Sequence, residues 1–473
     1  MDKTYELNKE KKSELKNCIH IANWYIHYCE APIYTSISDR RSCAILGEFF
    51  HIEKPELTEQ DITNEIIKLK NFEDVIIFSK YLLGRFVIFY FDYDHSVKIL
   101  PDATTTIPVY YTNKAGKEYI SSDSHLIKNK FDFQFSETSI NIKEAADNQH
   151  PLPYNITMFE EIKVLIPNHY YDSNTGEMHR YFPLDDVSHI SLLNATEKTI
   201  YVIRNVLSFI LKRKKLSLPL TAGVDSRTVL SFLKNYINDI PTFTFYSTND
   251  TGDLEIAKDI SHKMNFFHKG LKRKKLTDDE ISYFSDKLDG NHKVGVLNDA
   301  LTLKKSAFKD RSFLTGDIIP LAKSNFGKNL PEKWATASYL VTKTHNYSRE
   351  NKEYVKKWLK DVKEYHYLSI YDLFFWEYRF GRWFPNSVIN YDIWTDPFYL
   401  FNCRYLIELW LSIPRNQRTK YSLHEEIIKT NWPELLKIPI NPHEKYLNKF
   451  FSNQYLYYLG SFGKYYLQGL KRK

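Results

Sequence analysis

Cysteine is scarce in this chain: four residues in 473, at Cys18, Cys29, Cys43 and Cys403, with no Cys-x-x-Cys pair. That excludes a disulfide framework and a cysteine-ligated zinc site, and it makes a reducing cytoplasm the expected location. Glycine is also sparse, at 15 residues against 35 tyrosines and 31 phenylalanines, so a flexible low-complexity chain is excluded. No stretch approaches the roughly 18 uninterrupted apolar residues of a membrane span. The opening MDKTYELNKEKKSELKN is charged throughout and lacks the apolar core of a secretory signal. None of the 16 histidines falls in an HExxH-type spacing, so no transition metal is expected. The Walker A and GxGxxG patterns are missing too, which removes kinase-like and dinucleotide-binding readings.

What is present is a globular composition, 43% hydrophobic and 26% charged, in a length that suits two domains. The formal charge of +7 is small for that length; it suits anionic ligands such as nucleotides without requiring nucleic acid. The basic runs Lys212 to Lys215 and Lys272 to Lys275 read as solvated helix ends and turns. From Cys43 to Ile127, short strands and turns such as CAILGEFF, GRFVIFYFDYD and IPVYY surround a helix-like stretch near residues 58 to 70, an α+β pattern rich in antiparallel strands. Near residue 190 the period changes. Ile200, Ile203, Val206, Leu207, Ile210 and Leu211 fall at helical spacing, and the strand LSLPL follows. After the turn TAGVDS comes a helix with Val229, Phe232, Leu233 and Tyr236 on one face. The strand TFTFY and a third helix carrying Leu254, Ala257, Ile260 and Met264 come next. Such alternation predicts a parallel sheet with helices on both faces. Beyond residue 330 the pattern is helical and aromatic. The domains expected are therefore 1–190 and 191–473.

The turn between LSLPL and the next helix carries the chemistry. Backbone amides of Thr221, Ala222, Gly223, Val224, Asp225 and Ser226 are expected to face a concavity at a helix N-terminus, where anions are stabilised. A carboxylate at Asp225 repels phosphate unless a divalent cation lies between them, which points to Mg²⁺ with a polyphosphate. The plainer alternative is that Asp225 and Ser226 only cap the helix.

This turn resembles the SGGxDS pyrophosphate loop of the asparagine synthetase and ATP-pyrophosphatase group, with Thr221 and Ala222 replacing Ser and the first Gly. Residues 242–269 resemble the strand, acidic turn and helix that follow that loop, and residues 391–418 the family's Pro-Phe segment. Residues 84–111 and 155–182 resemble parts of its glutaminase domain. The resemblance implies an Ntn-hydrolase-like, degenerate glutamine amidotransferase-like first domain. It implies an asparagine synthetase-like, HUP-like α/β second domain with a helical C-terminal part. It implies ATP and Mg²⁺ as cofactors, with Leu220 and Thr221 to Ser226 as the ATP and pyrophosphate loop, joined by Gly316. Tyr246 and Ser247 would lie beside adenine, and Asp225 and Asp317 would hold metal. The catalytic set would be Asp225, Asp317 and a lysine near the C-terminal end, with Lys445 the best match and Lys449 second.

Two departures stand out. The family's glutaminase cysteine sits at the mature N-terminus, where its free amine is the base; residue 2 here is Asp2, and Cys18 lies inside the chain. In LTGDIIPLAK, residues 314–323, Pro320 stands where the family has its second metal-binding Asp. The implied activity is ATP-dependent amide formation without glutaminase activity. A small-molecule or peptide carboxylate would be adenylated and transferred to ammonia or an amine, as in relatives associated with bacterial surface polysaccharides. Intramolecular cyclases of the β-lactam synthetase or lasso-peptide type, a nucleotide- or partner-binding pseudoenzyme, and a tRNA-modifying ATP pyrophosphatase are the rivals. No nucleic-acid partner is expected. The aromatic, basic segment 454–473 is expected to pack on the domain rather than lie on a membrane surface.

Overall fold

The computed structural model describes residues 2–114, 117–144, 150–183, 188–327, 330–363, 368–418, 421–442 and 453–470. Up to Arg180 the chain builds two antiparallel sheets of six strands. The first contains β1 (Tyr5–Asn8), β2 (Asn17–Ile21), β3 (Trp24–Tyr28), β8 (Tyr110–Lys114), β9 (Lys117–Ser121) and β10 (Lys163–Val164), in the order β10-β8-β9-β1-β3-β2. The second contains β4 (Ile33–Ile37), β5 (Ser42–His51), β6 (Leu82–Phe91), β7 (Val97–Pro101), β11 (His169–Asp172) and β12 (Glu177–Arg180), in the order β12-β11-β7-β6-β5-β4. Alternate residues of both sheets, among them Leu7, Ile26 and Ile120 from one and Leu46, Val87 and Phe89 from the other, meet in a shared core. Helices α1 (Glu59–Ile66) and α2 (Phe72–Ser79) cover the second sheet, and α3 (Ser124–Phe131) lies against β8 and β9.

Strand β1 departs from the sequence reading, which finds only charge in this stretch. Tyr5 and Leu7 alternate with Glu6 and Asn8, and all four are buried between β3 and β9. Two apolar residues are too few to raise a periodic signal, and the buried Glu6 carboxylate is satisfied by the Ser13 hydroxyl at 2.7 Å. The helix expected near residues 58 to 70 is α1, capped by Thr58 and ending at Ile66; a second helix, α2, capped by Asn71, follows it.

The second half opens with helix α5 (Leu192–Arg213), capped by Ser191 and burying Ile200, Ile203, Val206, Leu207 and Ile210. Each such side chain contributes about 1.5–3 kcal/mol on burial. Strands β13 (Leu216–Pro219), β14 (Thr242–Tyr246), β15 (His268–Lys272), β16 (Ser312–Thr315) and β17 (Pro397–Tyr399) form one parallel sheet in the order β15-β14-β13-β16-β17. Helices α6 (Val224–Phe232), α7 (Gly252–Met264), α8 (Asp278–Lys287) and α9 (Val294–Lys304) connect them. The strand order reverses beside β13, the first strand of this sheet in sequence. In open α/β sheets that reversal leaves a crevice beyond the carboxyl ends of the strands, and the TAGVDS turn leaves β13 there.

The two halves share buried polar contacts. Arg85 grips Asp392 through two bonds of 2.8 and 2.6 Å. Asn402 donates to the Gly84 carbonyl and to Asp102, the acid of the PDATTT turn. The helix Gln454–Leu470 stacks Tyr458 and Phe462 on Tyr339 and leaves Tyr455, Leu456 and Leu459 exposed. No helix among the described residues is long and apolar enough to cross a membrane.

Candidate functional site

Leu220 closes β13, its amide bonded to the Phe243 carbonyl and its carbonyl accepting from the Thr244 hydroxyl. The turn then tightens around two side chains. The Ser226 hydroxyl accepts from the Thr221 amide at 3.1 Å and lies 3.0 Å from the Thr221 hydroxyl, which accepts from the Gly223 amide. The Ala222 amide donates to Asp253 of α7 at 2.8 Å. Ala222 is buried and its backbone is not left-handed, so alanine in place of the family's glycine brings no strain. Gly223 is the N-cap of α6 and offers no side chain to the first helical amides. Among the described residues no side chain caps the amides of Val224, Asp225 and Ser226, at the positive end of the helix.

Asp225 is not a bare carboxylate in this cradle. Its Oδ1 lies 2.8 Å from Lys323 Nζ and 2.9 Å from His424 Nε2. Burial works against its charge, but His424 and Lys323 together hold the carboxyl below its ordinary value. His424 is itself buried, and burial pushes its imidazole down despite Asp225. Asp317 behaves oppositely: burial, aided by the charge of Asp225, pushes its carboxyl up to about 6. Yet the Asp317 side chain reaches solvent. The Asp225 side chain is 35% accessible. Both acids reach solvent just beyond the carboxyl ends of β13 and β16, close enough for the charge of Asp225 to act on Asp317. Asp225 and Asp317 suit a magnesium ion whose remaining ligands are phosphate oxygens and water, because such an ion takes only one or two carboxylates from the protein. Among the described residues no group of three or more His, Cys, Asp or Glu side chains could hold a metal without such help.

Backbone packing fixes this arrangement. A side chain at Gly316 would start 2.9 Å from the Asp225 carbonyl and 2.9 Å from Val229, so β16 can approach α6 only through glycine. Gly316→Val is expected to cost about 1–3 kcal/mol of stability by overpacking. It should also weaken nucleotide binding more than a volume change elsewhere in the core, as denaturant titration and calorimetry would show. Pro320 sits in the short 3-10 turn Ile319–Ala322 and supplies no ligand. That turn carries Lys323 to Asp225.

The expected residues are distributed as follows. Leu220 through Ser226, Gly316 and Asp317 come together at the crevice. Tyr246 and Ser247 end β14, the neighbouring strand, partly exposed at the same edge, with Ser247 in a turn closed by Asp250. Lys445 and Lys449 lie outside the described residues. Sequence reading missed Asp253, Lys323, His424 and Arg227. It also missed Asn441, whose amide donates to the Ala222 carbonyl. Asp253 marks the start of a helix in the sequence, and Arg227, Lys323 and Asn441 fall inside the LTAGVDSR, LTGDIIPLAK and INPHEKYLNKF segments, without their partners being legible.

In the first half, Asp2 lies in a cavity of about 530 Å³ shared with Lys3, Thr4, Asp123, Asp289 and Trp394, and no cysteine lines it. Cys18 is exposed, Cys29 is half-buried, and Cys43 and Cys403 are buried. Burial and Asp2 push the Cys29 thiol up to about 11, and burial raises Cys43 further and Cys403 to about 12. None of these thiols has the depressed pKa of a nucleophile.

Comparison with known proteins adds names without assigning one. No family model matches the chain, and no curated protein matches it. Among solved structures, NMN synthetase from Francisella tularensis is 13% identical over 37% of this chain and 73% of its own, with a TM-score of 0.19. Glutamine-dependent NAD+ synthetase from Acinetobacter baumannii, solved with ADP, is 9% identical over 36% of this chain and 38% of its own, with a TM-score of 0.17. Glutamine phosphoribosylpyrophosphate amidotransferase from B. subtilis, solved with ADP and GMP, is 10% identical over 57% and 60%, with a TM-score of 0.22. Scores this low place the chain in none of those families.

Proposed function

We propose that this chain is an ATP-dependent, AMP-forming carbon–nitrogen ligase of the asparagine synthetase type, with a degenerate Ntn-hydrolase-like first half that hydrolyses no glutamine. What supports the reading is the N-terminus of α6, without a side-chain cap, at the strand-order reversal of a parallel sheet, with Asp225 and Asp317 close to each other beside it. A carboxylate oxygen of the substrate would attack the α-phosphorus of ATP, and the bond to the bridging oxygen of pyrophosphate would break. Pyrophosphate would leave into the amides of Val224, Asp225 and Ser226. Ammonia or an amine would then attack the acyl carbon, and AMP would depart with the bonding electron pair. Mg²⁺ held by Asp225 and Asp317 would supply charge neutralisation to the leaving pyrophosphate. Most of the chain's own contribution is orientation and fixed charge. Lys323 brings a cation to Asp225, where charge develops on the phosphates, and buried His424 holds the Asp225 carboxylate in place.

Pyrophosphate release from ATP with pooled cell carboxylates, followed by mass spectrometry, tests this reading. A product amide and AMP are expected; ATP cleavage to ADP, or no carboxylate-dependent release, counts against it. A second reading, nucleotide binding without turnover, draws on Lys323 already occupying Asp225 and on Pro320 in the acidic position. Calorimetry with Mg²⁺-ATP separates them, since binding without pyrophosphate release favours the second.

The raised carboxyl of Asp317 gives a pH signature. Folding raises it from its ordinary value to about 6, so between those values the folded chain binds more protons than the unfolded one. Its ionisation therefore costs stability as pH rises through about 6. If the ionised form serves the reaction, ATP–pyrophosphate exchange should climb with pH through about 6. Asp317→Asn should remove that limb while raising stability above it. A profile unchanged by the substitution would remove Asp317 from the site.

A further inference from the structure

Away from the crevice acids, a group of cations gathers where the two halves meet. Lys143 comes from helix α4 (Glu137–Glu144), Lys293 caps α9, and Arg379 and Arg382 lie on the π-helical segment Phe375–Trp383. Lys293 Nζ donates to the Trp383 carbonyl and the Ser387 hydroxyl, both at 2.8 Å, and stands 3.7 Å from the centre of the Trp383 ring. The Arg379 guanidinium stacks on that ring at 3.3 Å. Lys143 Nζ has only carbonyl and amide oxygens of His150, Gly290 and Asn291, each at 3.4 Å. Arg382 donates to the carbonyls of Leu152 and Ile156.

No carboxylate among the described residues pairs with any of these four. Buried charges are ordinarily paired, because an unpaired one costs several kcal/mol or gives up its charge. The charges here press on one another. Burial, then Arg379 and Lys143, push Lys293 down to about 6, and burial and Arg382 push Lys143 down to about 8. Burial, followed by His345, Arg379, Lys293 and Lys143, pushes His150 down to about 4. Lys293, Arg379 and Arg382 are partly accessible rather than sealed.

We infer that Lys143, Lys293, Arg379 and Arg382 form a recognition site for a small multivalent anion bearing carboxylate or phosphate groups. The ligand would supply the counter-charge that the described residues lack, with the Arg379 guanidinium able to bind an oxyanion through paired N–H groups. The topology puts the site near the crevice. Helices that return to the start of a parallel strand begin at the carboxyl edge of the sheet, so Lys293 at the head of α9 and Trp383 at the head of the helix Phe384–Asp392 lie on that edge. The cluster stands without the ligase reading. Joined to that reading, it makes the acyl substrate a di- or polyanion.

Full-length protein is titrated calorimetrically with inorganic phosphate and, separately, with citrate, which distinguishes phosphate from polycarboxylate ligands. Saturable binding of at least one is expected. Proton uptake should accompany it above pH about 6, read from buffers of different ionisation enthalpy, because the anion restores charge to Lys293. Arg379→Gln and Lys293→Met should each weaken binding about tenfold, while Asp225→Asn leaves it intact. Without anion, Lys293→Met should raise the melting temperature, which a merely structural lysine would not do. The inference is overturned if neither probe binds at millimolar concentration, or if binding survives both cluster substitutions. It is also overturned if the anion slows amide exchange in residues 220–230 but not around Lys293, since the anion then sits at the loop. Failure of pyrophosphate release with anion binding retained would remove the ligase reading and leave this site standing.

Discussion

Asp225→Ala is expected to lower ATP–pyrophosphate exchange by about 100-fold or more, the scale seen when a preorganised electrostatic contact to a transition state is removed. The chain should stay folded, because Asp225 contributes no N-cap bond to α6 and its partners have other surroundings. Lys323 stands over the Tyr421 ring at 5.2 Å and can turn to water. His424 is buried and its imidazole already favours the neutral form, so the loss of its acid leaves no stranded charge. Unchanged exchange in a folded Asp225→Ala protein would mean that the chemistry lies elsewhere.

Arg227→Met is expected to act through structure, with a larger cost in stability. The Arg227 side chain is fully buried and has no acidic partner among the described residues; burial pushes its guanidinium down to about 10. It donates instead to four carbonyls: Leu435 at 3.1 Å, Ile438 at 2.5 Å, Ala222 at 3.2 Å and Pro439 at 3.1 Å. One side chain thereby ties the Leu220–Ser226 turn to the segment that leads to Asn441. Methionine keeps most of the volume but strands those acceptors, each worth about 1–3 kcal/mol when buried and unsatisfied. Two of them alone make a loss of about 3 kcal/mol, measurable by urea unfolding. Nucleotide affinity should fall as well, since the Ala222 carbonyl loses one of its two donors.

These predictions differ in how far the sequence foretold them. The strand, turn and helix around residues 216–232 were legible because their signals are local: an apolar strand, a glycine at the helix start, and an apolar face at helical spacing. The parallel sheet followed from the same alternation. Lys323 was not legible as an Asp225 partner, since 98 residues separate them and only the fold of the Pro320 turn closes the gap. His424 and Asn441 lie still farther along the chain, in segments whose own pattern marks nothing but helix and turn. Strand β1 was missed because its burial comes from neighbours on either side, not from its own composition. The lysine near residue 445 rests on family resemblance alone and lies outside the described residues, whereas packing brings Lys323 to Asp225.

The central claim is that the first amides of α6 receive the phosphates of a nucleotide. Hydrogen–deuterium exchange of the peptide spanning residues 220–230, with and without Mg²⁺-ATP, measures those amides directly. Slower exchange confined to this peptide and the segments facing it, absent with adenosine, is the expected result. Exchange in residues 220–230 that is the same with and without saturating ATP would contradict the account.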